Sequence, residues 1–165
     1  MAEDCYLKIE EIKGECSASH HKEWIEITNF GLDISTDEDN LRTPTKAGKL
    51  SALKIDKPLD RASPKLAAAA CWRTPLKKEV IIELCEAVGN GQNPVTFMEY
   101  KLSGDVFIKS YSVGGGGSGP PEESIEIVYD KITMTYREFD HITGKEKSTS
   151  YMYWDITQNK GGKPF

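Results

Sequence analysis

The chain has 165 residues, 38% of them apolar and 28% charged, and its 21 Lys and Arg against 26 Asp and Glu leave a net charge of -5. That apolar share is enough to build the core of one domain and excludes a disordered chain. The acidic balance gains no counterion release from a phosphate backbone, which excludes nucleic acid as a partner class. No run of about 18 apolar residues is present to insert into a membrane.

The opening segment, Met1-Ala2-Glu3-Asp4-Cys5, is acidic and lacks both the basic and the apolar region of a signal peptide. The expected life history is synthesis in the cytoplasm and exit by a route that needs no such signal. Cys5, Cys16, Cys71 and Cys85 have no C-x-x-C spacing, so they read as small hydrophobes of a reducing compartment.

Residues 5–12 alternate Cys5, Leu7, Ile9 against Tyr6, Lys8, Glu10, the period of a half-buried strand. Residues 24–28 alternate in the same way, and residues 30–35 predict a further strand that Gly31 allows to bend. Residues 36–49 are polar, contain Pro44 and Gly48, and predict a long loop. Residues 51–57 return to strand, with Leu53 and Ile55 on one face.

One helix stands out. Ser63 is placed as its cap and Pro64 at its first position, where a missing N–H costs nothing. Four alanines follow, and Thr74-Pro75 ends the run. Residues 78–88 predict a strand rich in branched residues. Residues 95–102 and 106–113 predict the next pair, joined as a hairpin through Ser103-Gly104-Asp105.

The glycine-rich stretch 114–119 reads as a flexible loop inside the same domain. Beyond it, Ile125, Ile127 and Tyr129 fall on odd positions but Ile132, Met134 and Tyr136 on even ones. That change of parity predicts a bulge or a corner near Asp130-Lys131. A last strand covers residues 151–156, and residues 159–165 read as a loose tail. The expected fold class is mainly β: an antiparallel β-barrel of two packed sheets with one short flanking α-helix, as a single domain over residues 1–165.

Chemistry-bearing constellations are sparse. His20-His21 near Cys16 and Glu23 lacks metal-ligand spacing, with His141 remote, and reads as an exposed polar loop. The glycine-rich stretch lacks the Lys-Ser/Thr of a phosphate cradle. Asp33 with Asp37-Glu38-Asp39 lacks the calcium-loop pattern and reads as a solvated acidic run. No catalytic, metal or cofactor site is predicted, and so no enzyme.

The strand at 78–88 carries a different message. Val80, Ile82 and Leu84 line one face, while Ile81, Cys85 and Ala87, interrupted by Glu83, line the other. A strand apolar on both faces needs cover on both. Either the helix covers the outer face, or a neighbouring subunit does. On the second alternative Ile81, Glu83 and Cys85 form a subunit interface.

Several segments, in order, resemble the haemolysin-coregulated protein (Hcp) family of type VI secretion tube proteins. They are Tyr6-Leu7-Lys8-Ile9 with Lys13-Gly14-Glu15-Cys16, His21-Lys22-Glu23-Trp24-Ile25-Glu26-Ile27, the helix start Asp60-Arg61-Ala62-Ser63-Pro64-Lys65-Leu66, the pair around Phe97 and Phe107, and Pro121-Glu122-Glu123-Ser124. The chain departs from the family pattern at residues 37–46, at Ser103-Gly104-Asp105 and at Cys16.

The resemblance implies a barrel that assembles into hexameric rings. The rings would stack into a tube inside contractile sheath proteins, tipped by a spike protein, with effector toxins in the lumen. It also implies cytoplasmic synthesis followed by secretion through that machine, and a loop that reaches the adjacent ring. Asp37, Glu38, Asp39, Arg42 and Lys46 are the candidates for that ring-stacking loop. A monomeric small-ligand-binding β-barrel is the alternative from another class, and a hydrolase using Cys16 or a histidine is a third.

Overall fold

The computed structural model describes residues 3–42, 47–89 and 93–162. Strands β1 (Asp4–Lys8), β2 (Ile25–Ile27), β3 (Asn29–Gly31) and β4 (Ile34–Ser35) lead to a 3-10 turn at Glu38–Asn40. Strands β5 (Lys49–Leu50) and β6 (Leu53–Pro58) then precede helix α1 (Ser63–Trp72). The remainder is β7 (Val80–Glu86), β8 (Val95–Ser103), β9 (Phe107–Gly114), β10 (Glu122–Val128), β11 (Lys131–Phe139), β12 (Glu146–Asp155) and β13 (Lys160–Gly161).

The strands form a seven-stranded sheet ordered β13-β12-β11-β8-β7-β1-β2, a four-stranded sheet ordered β3-β6-β10-β9, and the small pair β4-β5. Every ladder is antiparallel. The two large sheets pack face to face as expected, although their ladders do not join into a closed barrel. Between them lie Leu7, Ile25, Ile82, Leu102 and Ile132 from one sheet and Leu53, Ile55, Ile125 and Ile127 from the other, all at 0% exposure. Each such side chain stabilises by about 1.5–3 kcal/mol relative to exposure, so this layer dominates the fold.

The change of parity marks a passage between sheets. β10 belongs to the four-stranded sheet and β11 to the seven-stranded one, and the chain crosses at Tyr129-Asp130. The segment Ser103-Gly104-Asp105 makes the opposite crossing beside it. It therefore does not close the expected hairpin, because β8 pairs with β7 and β11 while β9 pairs with β10. Asp130 fastens the two crossings together: its carboxylate accepts the Asp105 N–H at 2.7 Å and its own N–H reaches the Ser103 carbonyl at 3.3 Å. Gly104 sits at φ +80°, where an added Cβ would meet the Asp130 side chain at 2.5 Å, so glycine is needed there.

The glycine-rich stretch turns a hairpin, with Gly114 opposite Glu122. Helix α1 starts one residue earlier than the sequence signals suggest, with Ala62 rather than Ser63 at its N-cap. The Ser63 hydroxyl is engaged elsewhere, with Glu123 and the Asp60 N–H, and Asp60 Oδ1 accepts the Ala62 N–H instead. Arg73 ends the helix in the left-handed conformation. The helix buries Ala62, Leu66 and Ala69 and packs beside β9. It therefore does not cover the outer face of β7, one of the two expected covers for that strand.

Candidate functional site

The segment with the candidate stacking residues stands on a short stalk. β4 and β5 pair through Ile34–Leu50 and Ser35–Lys49, and the described residues 36–42 that follow β4 include the 3-10 turn. The root is fixed by polar contacts: the Ser51 N–H reaches the Asp33 carbonyl and the Asp33 N–H reaches the Ser51 hydroxyl, both at 2.9 Å. The buried Tyr129 hydroxyl donates to the Ser51 carbonyl at 2.9 Å.

Above this root, Asp37, Glu38, Asp39 and Arg42 are all exposed, with Glu38 and Asp39 in the 3-10 turn. Asp37 pairs with Lys49 across the stalk at 3.8 Å, a surface contact of small worth. Lys46 lies outside the described residues. Ile34 and Leu41 are also exposed, so the arm has apolar as well as charged surface.

At Glu83 and Cys85 the outer face of β7 is covered from within the chain. Residues 13–24 fold back over it, held by the Gly14 N–H to the Glu23 carbonyl at 2.8 Å and the Cys16 N–H to the Trp24 carbonyl at 3.0 Å. The Arg61 Nε donates to the Gly14 carbonyl at 2.6 Å and ties the same loop to the start of the helix. His21 is the residue this loop delivers. It is 6% exposed, so the expectation of an exposed polar pair holds for His20 but not for His21.

The His21 imidazole stacks on Tyr6 and meets Trp24 edge-on, with ring centroids 4.1 and 4.6 Å apart. Its Nε2 lies 2.6 Å from Glu83 Oε2 and 3.8 Å from Cys85 Sγ. The Thr96 hydroxyl donates to Glu83 at 2.9 Å and lies 3.4 Å from Cys85 Sγ. Cys85 is buried, Glu83 nearly so, and Ile81 half-buried. Burial pushes the Cys85 thiol above its ordinary range, and the carboxylates of Glu83 and Asp4 act in the same direction. Of the three candidate interface residues, Ile81 faces outward directly, whereas Glu83 and Cys85 hold the loop.

A second polar cluster is fully buried at the helix root. Lys57 Nζ donates to the Pro58 carbonyl and Asp60 Oδ1, both at 2.9 Å, and to Glu123. Glu123 also accepts from Ser63 and Tyr111. All three ammonium protons have partners, which is what makes a buried Lys tolerable. The signal was present in the sequence: Lys57 shares parity with Leu53 and Ile55, and Glu123 with Ile125 and Ile127, the inward positions of their strands.

The ribbon β11–β12 carries its buried face only part of the way along its length: Ile132 is fully buried, Met134 half-buried and Tyr136 exposed. Its inner face continues from Ile132 and Trp154 to Met134, Met152 and Tyr136, with Met98 of β8 alongside. Met98, Met134, Met152 and Tyr136 line an open cleft of about 280 Å³. Tyr136 is 46% exposed and neighbouring Tyr151 73%. The alternation along β11 announces a half-buried strand but carries no mark of where its cover stops.

A family model described as the type VI secretion system effector Hcp matches residues 6–136. A solved structure described as a type six secretion system protein is 30% identical, with a TM-score of 0.83 over 98% of this chain and 100% of that one. Hcp1 from Salmonella typhimurium is 24% identical, with a TM-score of 0.78 over 98% and 99% of the two chains. A type VI secretion system effector from Yersinia pestis is 20% identical, with a TM-score of 0.72 over 93% and 100%. The last two likenesses concern the fold alone. No curated protein sequence matches the chain.

Proposed function

The chain belongs to the Hcp family of type VI secretion proteins, and from that premise we propose that it is a non-enzymatic tube subunit that closes into six-membered rings. The observation that supports self-assembly is the open cleft on β8, β11 and β12. Met98 and Met134 pack against the core and, with Met152 and the exposed Tyr136, line a cleft open to solvent, the kind of apolar surface that another surface completes. A ring supplies one through a heterologous contact that closes on itself. Ile81 joins the subunit interface directly, and Glu83 and Cys85 join it by fixing the 13–24 loop.

Rings then stack through the arm carrying Asp37, Glu38, Asp39, Arg42 and Lys46. The tube forms in the cytoplasm, meets the spike protein and the contractile sheath, and is expelled with effector toxins in its lumen. The small-ligand barrel has less support, because the space between the two sheets is filled by side chains at 0% exposure.

Size-exclusion chromatography with light scattering tests the ring reading. At tens of micromolar the expected mass is six times the 18.4 kDa of the chain, and Met134→Lys reduces it to a single chain that retains its β-sheet circular dichroism. A wild-type protein that stays monomeric overturns the proposal.

A further inference from the structure

We propose that His21, Glu83 and Cys85 form a binding site for a divalent transition metal of the zinc type. Their donor atoms Nε2, carboxylate oxygen and Sγ all lie within 4.8 Å of one another. Imidazole, carboxylate and thiolate are the three side-chain donors zinc accepts, at about 2.0–2.3 Å. Around a tetrahedral ion such bonds set donors roughly 3.3–3.8 Å apart. The His21–Cys85 separation of 3.8 Å already meets that condition. The His21–Glu83 contact of 2.6 Å meets it when the carboxylate swings aside, and Glu83 has room to do so because its side chain is 17% exposed.

The fold converges these donors from distant parts of the sequence. Glu83 and Cys85 are alternate residues of β7 and so share a face. The ladder between β7 and β8 shifts register between Leu84 and Cys85, bringing Thr96 opposite Cys85. Such irregularities re-aim side chains. His21 arrives on the 13–24 loop with its ring plane set by Tyr6 and Trp24, and Thr96 orients Glu83 through its hydroxyl. Oriented donors with supporting hydrogen bonds are what metal sites require beyond their ligands. Three protein ligands leave a fourth position on the solvent side of Glu83 for water. The bound ion clamps the 13–24 loop onto the seven-stranded sheet.

The test uses the reduced full-length chain, freed of metal by a chelator and titrated with zinc and with cobalt as its spectroscopic counterpart. The expected result is one ion per chain, a thiolate-to-cobalt charge-transfer band in the near ultraviolet, and a rise in Tm on zinc addition. Cys85→Ala abolishes the band, whereas Cys16→Ala and Cys71→Ala keep it. Glu83→Gln, which preserves the hydrogen bond to His21 and so preserves folding, lowers zinc affinity about tenfold or more. The site is disproved by no thiolate band at stoichiometric cobalt, by a band that survives Cys85→Ala, or by unchanged affinity in Glu83→Gln. The cluster is then a hydrogen-bonded lock only.

Discussion

Three phenols show how single residues tie this fold to pH. Burial pushes Tyr129 from its ordinary 10 up to about 12. Tyr6 and Tyr111 rise to about 12 as well, through burial first and then through carboxylates, Asp4 for the one and Glu123 for the other. In each case the folded state holds a proton that the unfolded chain gives up earlier, so the unfolded state binds fewer protons between those two values. The stability these three phenols contribute is therefore unchanged below about pH 10, falls as pH rises toward about 12, and levels off beyond. For the well-buried Tyr129 the loss is on the order of 2 kcal/mol. Urea denaturation at a series of alkaline pH values, followed by tryptophan fluorescence, should show that decline. Tyr129→Phe should soften it, while costing about 1 kcal/mol at neutral pH for the hydrogen bond to the Ser51 carbonyl.

At the scale of elements, the root of α1 depends on a buried cluster in which Lys57 pairs with both Glu123 and Asp60. Lys57→Met leaves Glu123 uncompensated at 1% exposure, and such a loss costs about 3–5 kcal/mol. Lys57→Met with Glu123→Leu also removes the fully buried carboxylate, leaving only Asp60, at 10% side-chain exposure and still accepting the Ala62 N–H, and should recover part of that loss, as measured by the urea midpoint. An equal loss in the double variant would show that the cluster holds the helix by its hydrogen bonds rather than by its charge pair. The same elements show what was legible in the sequence. Pro64 and the alanine run located the helix, and the switch from Tyr129 to Ile132 located the crossing between sheets, because both leave marks within a few residues. The cap was misplaced because the Ser63 hydroxyl is drawn toward Glu123, on a strand far along the chain. The crossing at Ser103-Gly104-Asp105 carries the same residues as a hairpin turn, and only its ladder partners tell the two apart. The contact of His21 with Glu83 joins residues 62 apart, which no local pattern encodes.

For the whole molecule, the proposed stacking role of the arm would turn weak contacts into a cooperative one. Exposed ion pairs are worth about 0–1 kcal/mol each. On the proposed six-membered ring, six copies on one face would act together, so the small contributions would multiply. Replacing Asp37, Glu38 and Asp39 together by lysine should leave rings intact by light scattering while negative-stain images lose tubes and secretion stops. Tubes and secretion at wild-type levels would exclude the arm as the stacking element. The position of β1 has a further consequence, for the order in which the protein is made. Strand β1, near the start of this sequence, lies inside the seven-stranded sheet, between β2 and β7, and its pairing of Lys8 with Ile81 waits for about seventy further residues to be synthesised. Until then β1 has one neighbour and an open edge, the kind of surface that captures foreign strands. Sheets assembled from such distant partners form slowly, in milliseconds to seconds. A nascent chain stalled before β7 is therefore aggregation-prone, and each copy of the chain meets that hazard once as it is made.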